Sequence, residues 1–219
     1  MPDLKISPSL ASVSPLDVRE ALAELEIAQV DYLHFDIEDG VFVPLMTLGT
    51  KLISDLRPLS KLPFDVHLMM VDPEWIIPEL LEMGADRISV HYEACPYPRR
   101  VLRRIVEQGG TAGLAINPAT PLPDLEYLEP YLSFLVILTT EPEGPDCPYL
   151  PTVIRKLDAK TSDPYLGSLE WVVDGGVSPE NIQDVVQAGA DTVVVGRAVF
   201  QGGRIQENIA ALRAAAELD

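Results

Sequence analysis

Cysteine is nearly absent from this chain of 219 residues. Only Cys95 and Cys147 occur, which excludes a disulfide framework and a cysteine-ligated zinc cluster. Long hydrophobic runs are missing too: no apolar stretch approaches the ~18 residues of a membrane-spanning helix. Positive charge is scarce, with 16 Lys plus Arg against 34 Asp plus Glu and a formal net charge of -18. A field of that sign repels nucleic acid and anionic membrane surfaces, so neither is an expected partner. It also fails to steer an anionic metabolite, so any phosphate site needs a local positive field. The opening Met1-Pro-Asp-Leu-Lys-Ile lacks the basic and apolar regions of a signal peptide, and a cytoplasmic protein is expected. What is present is 47% hydrophobic and 23% charged residues, a globular composition whose length suits one domain over residues 1–219.

Short apolar runs alternate with longer amphipathic stretches. The runs Leu4–Ile6, Tyr32–Ile37, Phe64–Met69, Ile88–His91, Ala112–Ile116, Phe134–Leu138, Trp171–Val173 and Thr192–Val195 read as eight strands. Their near-continuous Val, Ile and Leu content suits burial on both faces, as in a parallel sheet. Between them lie helix signals. Ser14 and Pro15 open a first helix with Val18, Leu22 and Leu25 on one stripe. Asp72-Pro73 opens another that ends near Gly84, with Pro78 forcing a kink or a short first turn. Ser178-Pro179 opens a third that ends near Gly189. Gly84-Ala85-Asp86 and Gly189-Ala190-Asp191 echo one another as helix ends leading into strands. Eight strand–helix units in this length predict an α/β fold, a single-domain (β/α)8 TIM barrel. An open doubly wound sheet would usually carry a Gly-rich loop after its first strand, and none is present.

In a strand, residues two apart share a face. His34 and Asp36 therefore project together from the second strand. His67 stands at the end of the third, Asp174 ends the seventh before Gly175-Gly176, and Ser9 follows the first. Taken singly, a strand-end His is often an ordinary hydrogen-bonded residue, and an Asp before Gly-Gly is often a turn former. Together at one end of a barrel, His34, Asp36, His67 and Asp174 make a nitrogen–oxygen set suited to one divalent ion: zinc, ferrous iron or manganese. His91, beside Glu93, either lines the pocket or makes a structural hydrogen bond.

Several segments carry a resemblance in chain order. Ile6-Ser-Pro-Ser-Leu, His34-Phe-Asp-Ile-Glu-Asp-Gly-Val-Phe-Val-Pro, Asp65-Val-His-Leu-Met, Val90-His-Tyr-Glu-Ala, Asn117-Pro-Ala-Thr-Pro and Val173-Asp-Gly-Gly-Val resemble the ribulose-phosphate 3-epimerase family over nearly the whole chain. The resemblance implies an isomerase of pentose phosphate metabolism that inverts C3 of a ketose phosphate, by default D-ribulose 5-phosphate to D-xylulose 5-phosphate. It implies a metal held by His34, Asp36, His67 and Asp174, with Asp36 and Asp174 as the acid–base pair on opposite faces of the sugar. Ser9 and His67 would contact the substrate, and the protein would form a homo-oligomer. Elementary chemistry agrees: inverting a carbon next to a ketone passes through an enediolate, and two carboxylates are the economical way to move protons on both faces.

The resemblance has gaps. The loop Thr139–Tyr149 hangs over the active-site end of such a barrel. The family reads Asn or Asp-Pro-Gly-Phe-Gly-Gly-Gln there, with glycine amides near the phosphate. This chain reads Glu141-Pro142-Glu143-Gly144-Pro145-Asp146-Cys147. Pro145 has no amide hydrogen, and Glu143 and Asp146 would repel phosphate if they faced it. Gly175-Gly176 and Gly196-Arg197-Ala198 match the other half of the phosphate site. Arg197, where the family has a small residue, either replaces the lost amides or pairs with nearby acids. The family has methionine at Glu38, histidine at Val41, asparagine at Leu45 and methionine at Leu138. Strand parity puts Glu38 beside Asp36 as a third carboxylate, unless it points to solvent. These changes keep two alternatives open: another substrate or enediolate outcome (isomerisation, decarboxylation or carbon–carbon cleavage), and a non-catalytic binding barrel.

Overall fold

Each apolar run becomes a strand: β1 (Lys5–Pro8), β2 (Leu33–Glu38), β3 (Phe64–Met69), β4 (Arg87–His91), β5 (Thr111–Ile116), β6 (Phe134–Leu138), β7 (Glu170–Asp174) and β8 (Thr192–Val195). The computed structural model describes residues 4–142 and 147–217. All neighbouring strands pair in parallel, in the order β1-β8-β7-β6-β5-β4-β3-β2. Around them lie the helices α1 (Val18–Ile27), α2 (Lys51–Leu56), α3 (Ile77–Met83), α4 (Pro98–Glu107), α5 (Pro164–Ser168), α6 (Ile182–Gln187), α7 (Arg197–Phe200) and α8 (Ile205–Ala216). This is the expected (β/α)8 barrel, nearly closed. The seam between β1 and β2 has one bridge among the described residues, Ser9 to His34, and a reciprocal pair of hydrogen bonds, from the Ile6 amide to the Asp31 carboxylate and from the Asp31 amide to the Ile6 carbonyl.

Alternation sorts each strand into two faces. One face is apolar throughout and packs on the helices: Ile6, Phe35, Val66, Val90, Leu114, Ile137, Val173 and Val193 share one core with Leu25, Ile53, Leu80, Leu102, Ile182 and Ile209. The other face lines the barrel axis, and it divides by strand. On the β5–β8 side it is a small apolar cluster of Ala115, Phe134, Val136, Leu138, Val172 and Val194. On the β1–β4 side it is buried and polar: Ser7, His34, Asp36, Asp65, His67, Ser89 and His91.

The helix starts differ from those expected. A turn from Ser14 to Asp17 precedes α1, which begins at Val18; the Ser14 hydroxyl accepts the Leu16 amide instead of capping the helix. Val18, Leu22 and Leu25 do form its buried stripe. Pro73–Trp75 is one 3-10 turn, and α3 restarts at Ile77 with Pro78 in its first turn, where a missing amide costs nothing. It ends at Gly84, whose φ of 106° suits only glycine without strain. Ser178 opens a turn, and α6 begins at Ile182. The strand–helix alternation itself lapses after β5, where a 3-10 turn at Glu126–Leu128 stands in place of a helix. Pro118, Pro121, Pro123 and Pro130 remove the amides a helix would need there.

Candidate metal centre

Register assembles the site. In the β2–β3 ladder His34 stands opposite Asp65, and Asp36 opposite His67. Four inward side chains thus form two layers on one pair of strands. His34 is the second residue of β2 and so sits one layer below Asp36, deeper than the strand end. Asp174 arrives from across the barrel at the end of β7, just before a turn at Gly175 (φ 112°). That turn is packed tightly, since a Cβ on Gly175 would lie 2.4 Å from Thr140 Oγ1.

The four expected ligand residues converge: one ligand atom from each of His34, Asp36, His67 and Asp174 lies within 4.8 Å of the others. His34 Nε2 is 3.2 Å from Asp36 Oδ1 and 3.8 Å from Asp174 Oδ2. His67 Nδ1 is 3.5 Å and 3.3 Å from the same two oxygens. Despite these approaches, both ring nitrogens are buried and make no hydrogen bond among the described residues. A buried polar atom left unsatisfied costs about 1–3 kcal/mol. Two such nitrogens facing two carboxylates are satisfied together by a divalent cation, and the mixed donor set suits zinc, iron or manganese. The residues fit the ion.

The far side of each ring is held. His34 Nδ1 lies 2.8 Å from Asp65 Oδ2. Asp65 in turn pairs with Arg87 Nε at 3.1 Å, and Arg87 Nη1 donates to both oxygens of Glu170 at 3.2 Å. The Arg87 guanidinium is buried and lies 3.7 Å from the centre of the Phe134 ring. His67 Nε2 is 2.9 Å from His91 Nε2, and His91 Nδ1 is 3.4 Å from Glu93 Oε2. Glu93 Oε1 accepts the Asn117 amide at 2.9 Å. His91 therefore makes a buried hydrogen bond and does not line the mouth. The sequence reading gave Asp65, Arg87 and Glu170 no role. Asp65 has a signal, the Asp-x-His alternation that puts it on the face of His67; Arg87 is placed opposite it by strand register, and Glu170 meets Arg87 from β7 across the barrel.

Burial alone would lower the His34 pKa, but the Asp36 and Asp65 carboxylates raise it well above the usual imidazole value. For Asp36, burial opposes ionisation, yet His34 and His67 pull its carboxyl below the ordinary range. Arg87 and His34 overcome burial at Asp65 and hold it at about 2. Burial pushes His91 down to about 4 in spite of Glu93, so its ring is neutral at pH 7. Burial also works against Glu93 ionising, but hydrogen bonds from His91, Thr120 and the Asn117 amide bring it to about 2.

Above the four residues opens a cavity of about 540 Å³. Ser9, Asp36, Glu38, Leu45, Leu138, Asp174, Gly175, Gly176, Gly196 and Arg197 are among the residues that line it. Ser9 Oγ donates to Asp36 Oδ2. Glu38 is buried at the mouth, with Oε2 accepting the Thr47 amide at 2.6 Å and Oε1 free of hydrogen bonds among the described residues. Its carboxylate thus turns inward and not to solvent. Leu45 reaches the cavity, whereas Val41 is exposed. Thr140, Glu141, Pro142 and Cys147 bring the loop after β6 over the cavity, as expected. Glu143, Gly144, Pro145 and Asp146 lie outside the described residues.

Barrel and site together define a TIM-barrel protein with a His–Asp group able to hold a metal ion beneath an acidic cavity at the carboxyl ends of its strands. Residues 5–200 match the family described as the ribulose-phosphate 3 epimerase family, and the chain belongs to it. The ribulose-phosphate 3-epimerase of Synechocystis sp. is 36% identical over 220 residues, covering 96% of this chain and 94% of that one. The chloroplastic ribulose-5-phosphate-3-epimerase of Arabidopsis thaliana is 35% identical, covering 97% and 77%. The ribulose-phosphate 3-epimerase of Bacillus subtilis is also 35% identical, covering 90% and 92%. These relatives are epimerases, enzymes of the isomerase class. Among solved structures, a 3-hexulose-6-phosphate synthase superposes with a TM-score of 0.71 at 16% identity, covering 98% of this chain and 100% of that one. Orotidine 5'-phosphate decarboxylase from Pyrococcus horikoshii gives 0.67 at 16% identity, covering 96% and 98%. At that identity they show the fold alone. No helix of the described residues is long and apolar enough to cross a membrane.

Proposed function

We propose that this protein is a metal-dependent epimerase that inverts C3 of a ketose phosphate, by default D-ribulose 5-phosphate to D-xylulose 5-phosphate. The observation that carries this reading is the convergence of two unsatisfied buried imidazole nitrogens with Asp36 and Asp174 on the cavity floor, in a chain of the epimerase family. A divalent cation held by His34, Asp36, His67 and Asp174 supplies Lewis-acid stabilisation of the negative charge that develops on the substrate oxygens.

The protein's own residues move the protons. One aspartate takes the C3 proton, and the C–H electron pair passes into the enediolate. The other aspartate, on the opposite face, delivers a proton to C3 as the carbonyl reforms. After one turnover the first carboxylate has gained a proton and the second has lost one, so the pair is set for the reverse reaction or resets through solvent. Both Asp36 and Asp174 border the cavity, which supports this division of labour. Ser9, by donating to Asp36 Oδ2, fixes that carboxylate in one rotamer and stands next to the substrate. His67, expected to contact the substrate, is fully buried and is not among the residues that line the cavity, so its part in this reading is to hold the cation. The phosphate goes to the Gly175, Gly176, Gly196 and Arg197 side, where Arg197 supplies a local cation in an otherwise acidic protein. Glu38 accepts a hydroxyl of the sugar through Oε1. The cavity volume of about 540 Å³ suits a small sugar phosphate. A homo-oligomer belongs to the same reading, supported by the exposed Val41, Met46, Val71, Trp75 and Tyr97 on loops at the site face.

The test is ribulose 5-phosphate in D₂O with divalent metal supplied, followed by NMR. Deuterium at C3 together with xylulose 5-phosphate is the expected result, and Asp174→Asn is expected to abolish inversion while leaving the fold intact. Exchange without the epimer would mean a different enediolate outcome. No exchange would remove this substrate.

A further inference from the structure

His67 is the one ligand whose far nitrogen meets another imidazole. In a hydrogen bond between two neutral or singly protonated rings, one nitrogen carries the proton and the other accepts. The 2.9 Å contact between His67 Nε2 and His91 Nε2 is such a bond, with both rings fully buried. Which ring donates is decided at the other end. His91 Nδ1 faces the Glu93 carboxylate at 3.4 Å, and an ionised carboxylate only accepts. The other oxygen of Glu93 is already taken by the Asn117 amide, so the carboxylate is oriented from behind. The proton of His91 therefore sits on Nδ1, and its Nε2 is the acceptor. His67 must then carry its proton on Nε2, which leaves the Nδ1 lone pair facing Asp36 and Asp174.

We infer that Glu93, acting through His91, is a positioning residue that fixes the tautomer of His67 so that Nδ1 is always presented to the cation. The inference rests on the metal reading of the site. It parallels the simpler case of His34, where Asp65 accepts from Nδ1 directly and leaves Nε2 for the ion. The relay differs in running through a second ring, and its carboxylate stands at the exposed rim, with a side chain 21% accessible. Phe42 packs on the His91 ring with centroids 4.5 Å apart, which holds the intermediate ring in place.

The isosteric change Glu93→Gln probes the direction of the relay. One terminal atom of the glutamine must be a donor. If its oxygen stays with the Asn117 amide, its NH2 faces His91 Nδ1 and the relay runs backwards, putting a proton on His67 Nδ1. If the amide is turned, two donors face each other at Asn117. Either arrangement opposes ion binding. The expected loss of Zn²⁺ affinity, measured by chelator competition on metal-stripped protein, is about 10- to 100-fold. A second pair of variants separates the relay from general damage. His91→Gln keeps a carbonyl acceptor for His67 Nε2 and should retain most of the affinity, whereas His91→Phe keeps a ring but no acceptor and should lose it. The spectroscopic readout is the ¹⁵N signature of His91 in the full chain: protonated Nδ1 and unprotonated Nε2 in wild type, reversed in Glu93→Gln. A wild-type His91 with its proton on Nε2 overturns the inference, as does a folded Glu93→Gln that binds Zn²⁺ as tightly as wild type. If the wild type itself takes up no Zn²⁺, the metal reading falls and the relay with it; unchanged affinity in the variant alone sinks only the relay.

Discussion

Glu38 sets this chain apart at the level of single residues. It lies on the same face of β2 as His34 and Asp36, it lines the cavity, and the Thr47 amide holds one of its oxygens. A hydrogen bond to a charged group contributes roughly 1.5–3 kcal/mol. Glu38→Gln keeps an acceptor for Thr47 but removes the charge, so kcat/KM toward the ketose should fall about tenfold or more. Unchanged steady-state constants would leave Glu38 with the purely local task of holding the loop at Thr47. The convergence of His34, Asp36, His67 and Asp174 is readable from the sequence, because period-two alternation puts His34 with Asp36 and a strand end carries Asp174. Their supports are less legible. Asp65 reaches His34, and His91 reaches His67, across strands far apart in the chain, and register cannot be read from either strand alone.

Among the elements, β5 and β6 show how the barrel interior limits its own composition. Gly113 of β5 lies under the Phe134 ring of β6, and a Cβ at that position would sit 2.2 Å from Phe134 Cζ. Phe134 is buried and carries the Arg87 guanidinium on its other contacts, so it has little room to withdraw. Gly113→Ala should destabilise the protein by about 1–3 kcal/mol through overpacking. Urea midpoints of the two proteins would show this, and an unchanged midpoint would mean the ring can shift freely. The strands were legible because each is an apolar run bounded by turn residues. Helix starts were less so: Ser14 and Ser178 have the composition of caps, yet each opens a turn before its helix. The missing helix after β5 has a signal in the sequence, the four prolines in residues 118–130.

For the whole molecule, acid should be destabilising. Glu93 has a folded pKa of about 2 against an ordinary 4.5, and Glu170 is lowered too, as Arg87 outweighs its burial. A depressed carboxyl pKa means that the unfolded chain binds more protons in this range. The stabilisation is complete above pH 4.5 and is lost as pH falls toward 2. Urea midpoints in about 0.15 M salt, where repulsion among surface charges is screened beyond ~8 Å, should be lower at pH 3 than at pH 5, with His91, held at about 4 by burial, adding to the loss below its ordinary 6.5. A flat profile down to pH 3 would mean these carboxylates are no better held in the fold than in the open chain.

The thin β1–β2 seam has a consequence for the molecule's mechanics. With one bridge, Ser9 to His34, among the described residues of that ladder, the sheet is close to a rolled ribbon whose long edges are joined mainly by a few hydrogen bonds, such as those between Ile6 and Asp31 and from Ser9 to Asp36. His34, Asp36 and His67 belong to the strands at one edge, and Asp174 lies two strands in from the other. An ion shared by all four joins the two edges across the lumen and turns the ribbon into a hoop. The ion proposed above would therefore brace the barrel wall as well as prepare the chemistry.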